Sequence, residues 1–150
     1  MLVIPHTYRW DGYVFHQYAG GNKARWLICI GRNGILSDLS YFHLATTTTS
    51  YHSDKISQNA YFKIDQNKYT FFDSDCFIYF QERIFTLQQI EIEQHKEKIE
   101  FKGVINSEDM QKIYLGYWTY KTIPPVDLKE IKFSLENIGV KELPDPKKNL

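Results

Sequence analysis

"IEFKGVINSEDMQKIYLGYWTY", residues 99–120, holds two patterns of different period, and the change between them decides the fold class. Up to Ile105 the stretch reads as a short strand. From Asn106 the apolar residues Met110, Ile113, Tyr114 and Tyr117 recur at helical spacing and share one face. Asn106 or Ser107 caps this helix, and Glu108 and Asp109 suit its positive N-terminal end. Pro124 and Pro125 end it. "VDLKEIKFSLENIG" (126–139) repeats the signal with Leu128, Ile131, Leu135 and Ile138 on one stripe and Gly139 as a stop. Helices are expected near 107–120 and 127–138. Residues 1–140 are read as one domain, and 141–150 ("KELPDPKKNL") as a loose, flexible tail.

Upstream of residue 99 the chain reads as strands and turns. "GYVFHQY" (12–18) is a strand and "AGGNK" the turn after it. "RWLICIG" (25–31) is almost continuously apolar, so it is expected in the centre of a sheet, buried on both faces. Asn33-Gly34 marks a tight turn. "YFHLATTTT" (41–49) is the next strand, and the polar residues 50–59 an exposed loop. "AYFKI", "DCFIYF" and "RIFTL" complete the strand set. Strands followed by helices give an α+β chain, mainly β. A small, strongly bent antiparallel barrel is the natural closure, because it hides sheet edges.

The 150 residues suit one domain with a modest core. The 18 basic and 18 acidic side chains balance to +0, which argues against coating nucleic acid by bulk charge. A local basic site remains compatible: residues 1–60 carry five Lys/Arg against three acids. Eleven Tyr and ten Phe suit a surface where rings bury and hydroxyls stay wet. Cys29 and Cys76 lie in apolar runs and are expected as buried, reduced thiols with no metal-ligand spacing around them. No apolar run approaches ~20 residues and "MLVI" is too short for a signal peptide, so a soluble, intracellular protein with no membrane partner is expected.

Thr46 to Thr49 break the alternation a half-buried strand should show. The row is either a solvated strand end or a set of hydroxyls aimed at a ligand. By strand alternation Thr47 and Thr49 share one face, and Thr46 and Thr48 the other. Asp73 and Asp75 flank Ser74 on one strand face; Asp75 is read as structural.

The order of these segments resembles the MazF/PemK-like ribonuclease toxins of bacterial toxin–antitoxin pairs, over roughly residues 12–120. "GYVF" (12–15) is similar to that family's first strand, and "ARWLICIG" (24–31) to its arginine-led second strand, with Arg25 at the arginine. "FHLATTTTS" is similar to the strand ending in hydroxyls, "DSDCFIYF" to the Asp-containing strand, and "KGVINSEDMQKI" (102–113) to the final segment. Tyr13 stands where the family usually has an acidic residue, and Trp26 where it has proline. The resemblance implies an SH3-like barrel with one or two helices packed on it, a cytoplasmic homodimer, and a cognate antitoxin. It implies cleavage of single-stranded RNA with no metal or other cofactor: the 2′-hydroxyl attacks the adjacent phosphate, leaving a 2′,3′-cyclic phosphate and a 5′-hydroxyl. Arg25 and Thr47 match the catalytic positions.

Around them, Lys23, Arg32 and Lys55 are candidates to hold phosphates, and Tyr18, Trp26 and Tyr51 to stack bases. Thr49 and His52 complete the RNA-binding set. The competing reading keeps the barrel without the chemistry: a CcdB-like poison, or an inactive module that binds RNA or a partner.

Overall fold

The computed structural model describes residues 2–10, 24–33 and 40–146. The expected strand over 12–18, the turn after it, Gly34 of the tight turn, and Tyr13, Tyr18 and Lys23 lie outside the described residues.

Strand β2 (Arg25–Arg32) sits in the middle of a five-stranded antiparallel sheet. It pairs with β1 (His6–Trp10) on one side and β3 (Tyr41–Thr46) on the other. β6 (Phe85–Gln88) flanks β3, and β7 (Ile99–Val104) flanks β1, giving the order β6-β3-β2-β1-β7. Because side chains alternate across a strand, β2 feeds two cores. Ile28 and Ile30 join the larger core, and Leu27 and Cys29 the smaller one. The four are at most 1% exposed, as a central strand requires.

β4 (Tyr61–Ile64) and β5 (Cys76–Tyr79) form a second, two-stranded sheet. The two sheets are joined at the threonine row. β3 ends at Thr46, three residues before the expected boundary, and the chain crosses to β5. There Thr48 N–H donates to the Phe77 carbonyl (3.0 Å) and Phe77 N–H donates back to Thr48 (2.8 Å). The chain is therefore α+β, mainly β, as expected. The expected barrel closure is not seen among the described residues: β6 and β7 end the larger sheet as edges.

Helix α1 (Ser53–Ser57) replaces part of the expected loop after the threonines, and α2 (Gln89–Gln94) follows β6. α3 (Ser107–Tyr120) and α4 (Pro125–Asn137) stand where the helical period placed them. Asn106 caps α3, its Oδ1 accepting from Asp109 N–H at 2.8 Å. Met110, Ile113, Tyr114 and Tyr117 are buried, as their spacing required. Asp109 does more than suit the helix end. It is buried, accepts from the Tyr69 hydroxyl at 2.5 Å, and pairs with Lys68 at 2.9 Å, tying the loop before β5 to α3.

On α4, Leu128, Ile131 and Leu135 are buried, but Ile138 is 40% exposed. The helix unwinds there: Gly139 takes a positive φ of 94°, and Val140 turns inward in place of Ile138. The tail is also not loose through residue 146. Leu143 is buried, Tyr114 donates to the Pro144 carbonyl at 2.5 Å, and Trp118 Nε1–H donates to Asp145 O at 2.8 Å. No helix among the described residues is long and apolar enough to cross a membrane.

Candidate functional site

Arg25 opens β2, opposite Trp10, and Thr46 ends β3 opposite Leu27. The strand pairing thus brings the arginine and the threonine row to the same end of the sheet. Two clefts meet there, and Arg25, Thr47 and Thr48 belong to both. The first, about 300 Å³, adds Thr46, His52, Glu82 and Arg83. The second, about 400 Å³, adds Trp26, Thr49, Phe72, Asp73 and Ser74, with Cys76 beside Thr47.

The four hydroxyls are not equivalent. Thr47 is buried, and its single hydroxyl proton is donated to the Trp26 carbonyl at 2.7 Å. The same carbonyl also accepts Thr47 N–H at 3.2 Å. Thr48 Oγ1 instead accepts from Ser50 N–H at 3.1 Å, a bond that leaves its own proton to give. The row has left regular strand geometry, so the expected two-face division does not hold: Thr46, Thr47 and Thr48 line the first cleft, and Thr47, Thr48 and Thr49 the second.

His52 is held at the first cleft by Tyr79. Its N–H donates to the Tyr79 hydroxyl at 3.0 Å, that hydroxyl donates to Ser50 O at 2.6 Å, and the two rings meet edge-on with centroids 4.7 Å apart. Trp26 lines the second cleft, but its ring already stacks on Phe72 (5.1 Å between centroids) and carries Lys102 Nζ at 5.2 Å.

The remaining expected residues lie around or away from this place. Tyr51 is 65% exposed and edge-on to Phe77. Lys55 reaches over the Tyr79 ring rather than into a cleft. Arg32 is at the opposite end of β2, over the Phe42 ring. Seven strand steps separate it from Arg25, about 23 Å. Asp73 and Asp75 lie in the turn before β5, not in a strand. Asp75 is structural, accepting from Gln66 N–H at 2.8 Å and facing Lys63 at 3.6 Å.

Glu82 and Arg83 also line the first cleft, and no sequence motif marks them. They occupy the connection from β5 to β6 and reach the cleft because β6 pairs with β3. A charged pair between two apolar strands was the available signal.

Burial pushes the Cys76 thiol up to about 12 despite the opposing influence of the adjacent Thr47 side chain, so it is a neutral thiol and no nucleophile near neutral pH. Cys29 is likewise pushed up to about 12 by burial. Both are free and buried, as expected. No protein-family model matches the chain, and no curated protein matches it by sequence.

Proposed function

We propose that the protein is a metal-independent endoribonuclease, the toxin of a type II toxin–antitoxin pair, acting on single-stranded RNA in the cytoplasm. The observation that carries this reading is the convergence of Arg25 and the threonine row on the wall shared by two clefts. A phosphate bound at that wall has room for a nucleotide on either side. Arg25, with Arg83 also lining the first cleft, offers planar donors to the phosphate oxygens, where negative charge grows during reaction. In this proposal Thr48 supplies the neighbouring hydroxyl donor, since Thr47 has given its proton to Trp26.

The 2′-oxygen forms a bond to phosphorus as the P–O5′ bond breaks. His52 is suited to take the 2′-hydroxyl proton, and a protonated group or water returns one to the leaving 5′-oxygen. The second cleft, with Phe72, Trp26 and the Asp73 carboxylate, is suited to a base that presents an exocyclic amine. A cognate antitoxin and a second copy of the chain complete the expected assembly.

The test is incubation of purified protein with single-stranded RNA, followed by end-group analysis. Products ending in 2′,3′-cyclic phosphate and 5′-hydroxyl, formed in the presence of EDTA and reduced at least ~100-fold by Arg25→Ala, are expected. Intact RNA with the wild-type protein would remove the nuclease reading and leave the clefts as a binding surface.

A further inference from the structure

A second cluster lies where the first turn of α4 meets β3, away from both clefts. His43, Asp127 and Glu130 offer one imidazole nitrogen and two carboxylate oxygens that all lie within 4.8 Å of one another. His43 is 1% exposed, and the two acids are half-buried. Phe42 and Leu44 point into the smaller core and Ala45 into the larger one, so alternation turns His43 toward α4.

Gly31, the register partner of His43, lets the helix come close. A Cβ there would stand 2.8 Å from Ile131 Cα. Glu130 precedes Ile131, and its carboxylate reaches 3.3 Å from His43 Nε2. Ser134 fixes the same helix one turn on, accepting from Arg32 N–H at 3.1 Å. Asp127 is three residues before Glu130 and therefore shares its face. On the far side of the imidazole, Nδ1 lies 2.9 Å from Thr86 Oγ1.

We propose that His43 Nε2, Asp127 and Glu130 bind a divalent transition-metal ion of the Zn²⁺ class, with water completing its coordination. A histidine whose second nitrogen is held by a separate hydrogen-bonding partner has the ring orientation that metal ligation needs. The 3.3 Å from Nε2 to the Glu130 oxygen already matches two ligands on one ion; Zn–N and Zn–O bonds near 2.0–2.2 Å put tetrahedral neighbours about 3.4 Å apart. Rotation of the half-exposed Asp127 side chain closes the rest.

A hydrogen-bonded His–Glu pair accounts for two of the three residues. It leaves the Asp127 carboxylate beside another carboxylate, a repulsion that a dication relieves. One nitrogen and two carboxylates select a borderline ion over Mg²⁺ or Ca²⁺, which prefer oxygen throughout. Without the ion, Nε2 faces Glu130 and Nδ1 faces Thr86. Ligation through Nε2 places the ring proton on Nδ1, where Thr86 Oγ1 accepts it. The ion fastens α4 to the sheet and takes no part in the clefts.

The test uses the full chain after dialysis against chelator, titrated with Zn²⁺, Co²⁺ and Mg²⁺ by calorimetry. Expected are one Zn²⁺ per chain, a Co²⁺ visible spectrum of low coordination number, much weaker Mg²⁺ binding, and a melting temperature that rises by several degrees at ~100-fold excess over Kd. Glu130→Gln and Asp127→Asn should each weaken Zn²⁺ binding at least ~10-fold, and Thr86→Val ~10–100-fold, with Thr86→Ser restoring it. Circular dichroism checks that each variant folds; His43→Ala removes a buried ring, so Glu130→Gln carries the test. No Zn²⁺ bound at ~0.1 mM, where even a modest site fills, would overturn the proposal. So would stoichiometric binding that none of these variants weakens.

Discussion

Replacing Thr47 and Thr48 separately by valine should give opposite results, because their hydroxyls have different work. Thr47→Val keeps the shape and deletes the 2.7 Å bond to the Trp26 carbonyl. That carbonyl keeps Thr47 N–H at 3.2 Å, so it is not orphaned, and the loss is that of one buried hydrogen bond, about 0.5–1.5 kcal/mol. For a chain of this size that lowers the melting temperature by ~1–6 °C. The rate of RNA cleavage should change little.

Thr48→Val removes an acceptor from the exposed Ser50 N–H, which water replaces at a cost within ~0.5 kcal/mol. It also removes the donor assigned to the phosphate, so cleavage should fall ~100-fold with the melting temperature unchanged. The assay pairs a fluorogenic RNA substrate with thermal unfolding of the same preparations. A Thr47→Val protein that melts normally and cleaves slowly, beside an active Thr48→Val, would refute the assignment and return the reaction to the buried hydroxyl.

Arg25→Lys should lose cleavage at least ~10-fold although the charge is kept, because lysine lacks the planar fork; equal rates would mean that Arg25 acts only through its field. Gly31→Ala puts a methyl 2.8 Å from the Ile131 backbone, so it should cost ~1–3 kcal/mol in denaturant unfolding, and an unchanged midpoint would contradict the close approach of α4. Both thiols are raised by burial to about 12, above the ~8.5 of an unfolded cysteine, so their contribution is complete below pH ~8.5 and is lost as pH rises toward 12, at ~1.4 kcal/mol per pH unit for each. Urea midpoints should fall across that window in wild type, and less steeply in Cys76→Ala. An equal slope in that variant would show the thiol to be accessible.

Those elements were readable that form one periodic face from local residues. β2 declared itself by an apolar run too long for a one-sided strand, and α3 by Met110, Ile113, Tyr114 and Tyr117 at helical spacing. β1 did not, because a register shift between Thr7 and Tyr8 disturbs its alternation. Its burial runs intermediate, buried, buried, exposed, buried. α1 and α2, with five and six residues, are shorter than two helical turns and cannot display a repeat. The tail looked loose because its composition is polar; Leu143 anchors it in the larger core, to which α3 and α4 also contribute and which forms only from segments distant in sequence.

The threonine row shows why a site is less legible than the strands that carry it. Its position next to Arg25 followed from sequence order, since two antiparallel neighbours place the start of one beside the end of the other. Which hydroxyl is available did not follow, because alternation holds only while the chain stays in one sheet. At Thr47 the chain is leaving the larger sheet and at Thr48 it is bonded to β5. That crossing turns one hydroxyl inward onto a carbonyl and the next toward the clefts. The partner of this crossing, β5, is nearly thirty residues downstream, and Glu82 and Arg83 lie farther still, on the connection that follows it. The chemistry assigned to the row therefore rests on a pairing between distant segments, and local pattern could locate the row without ordering its members.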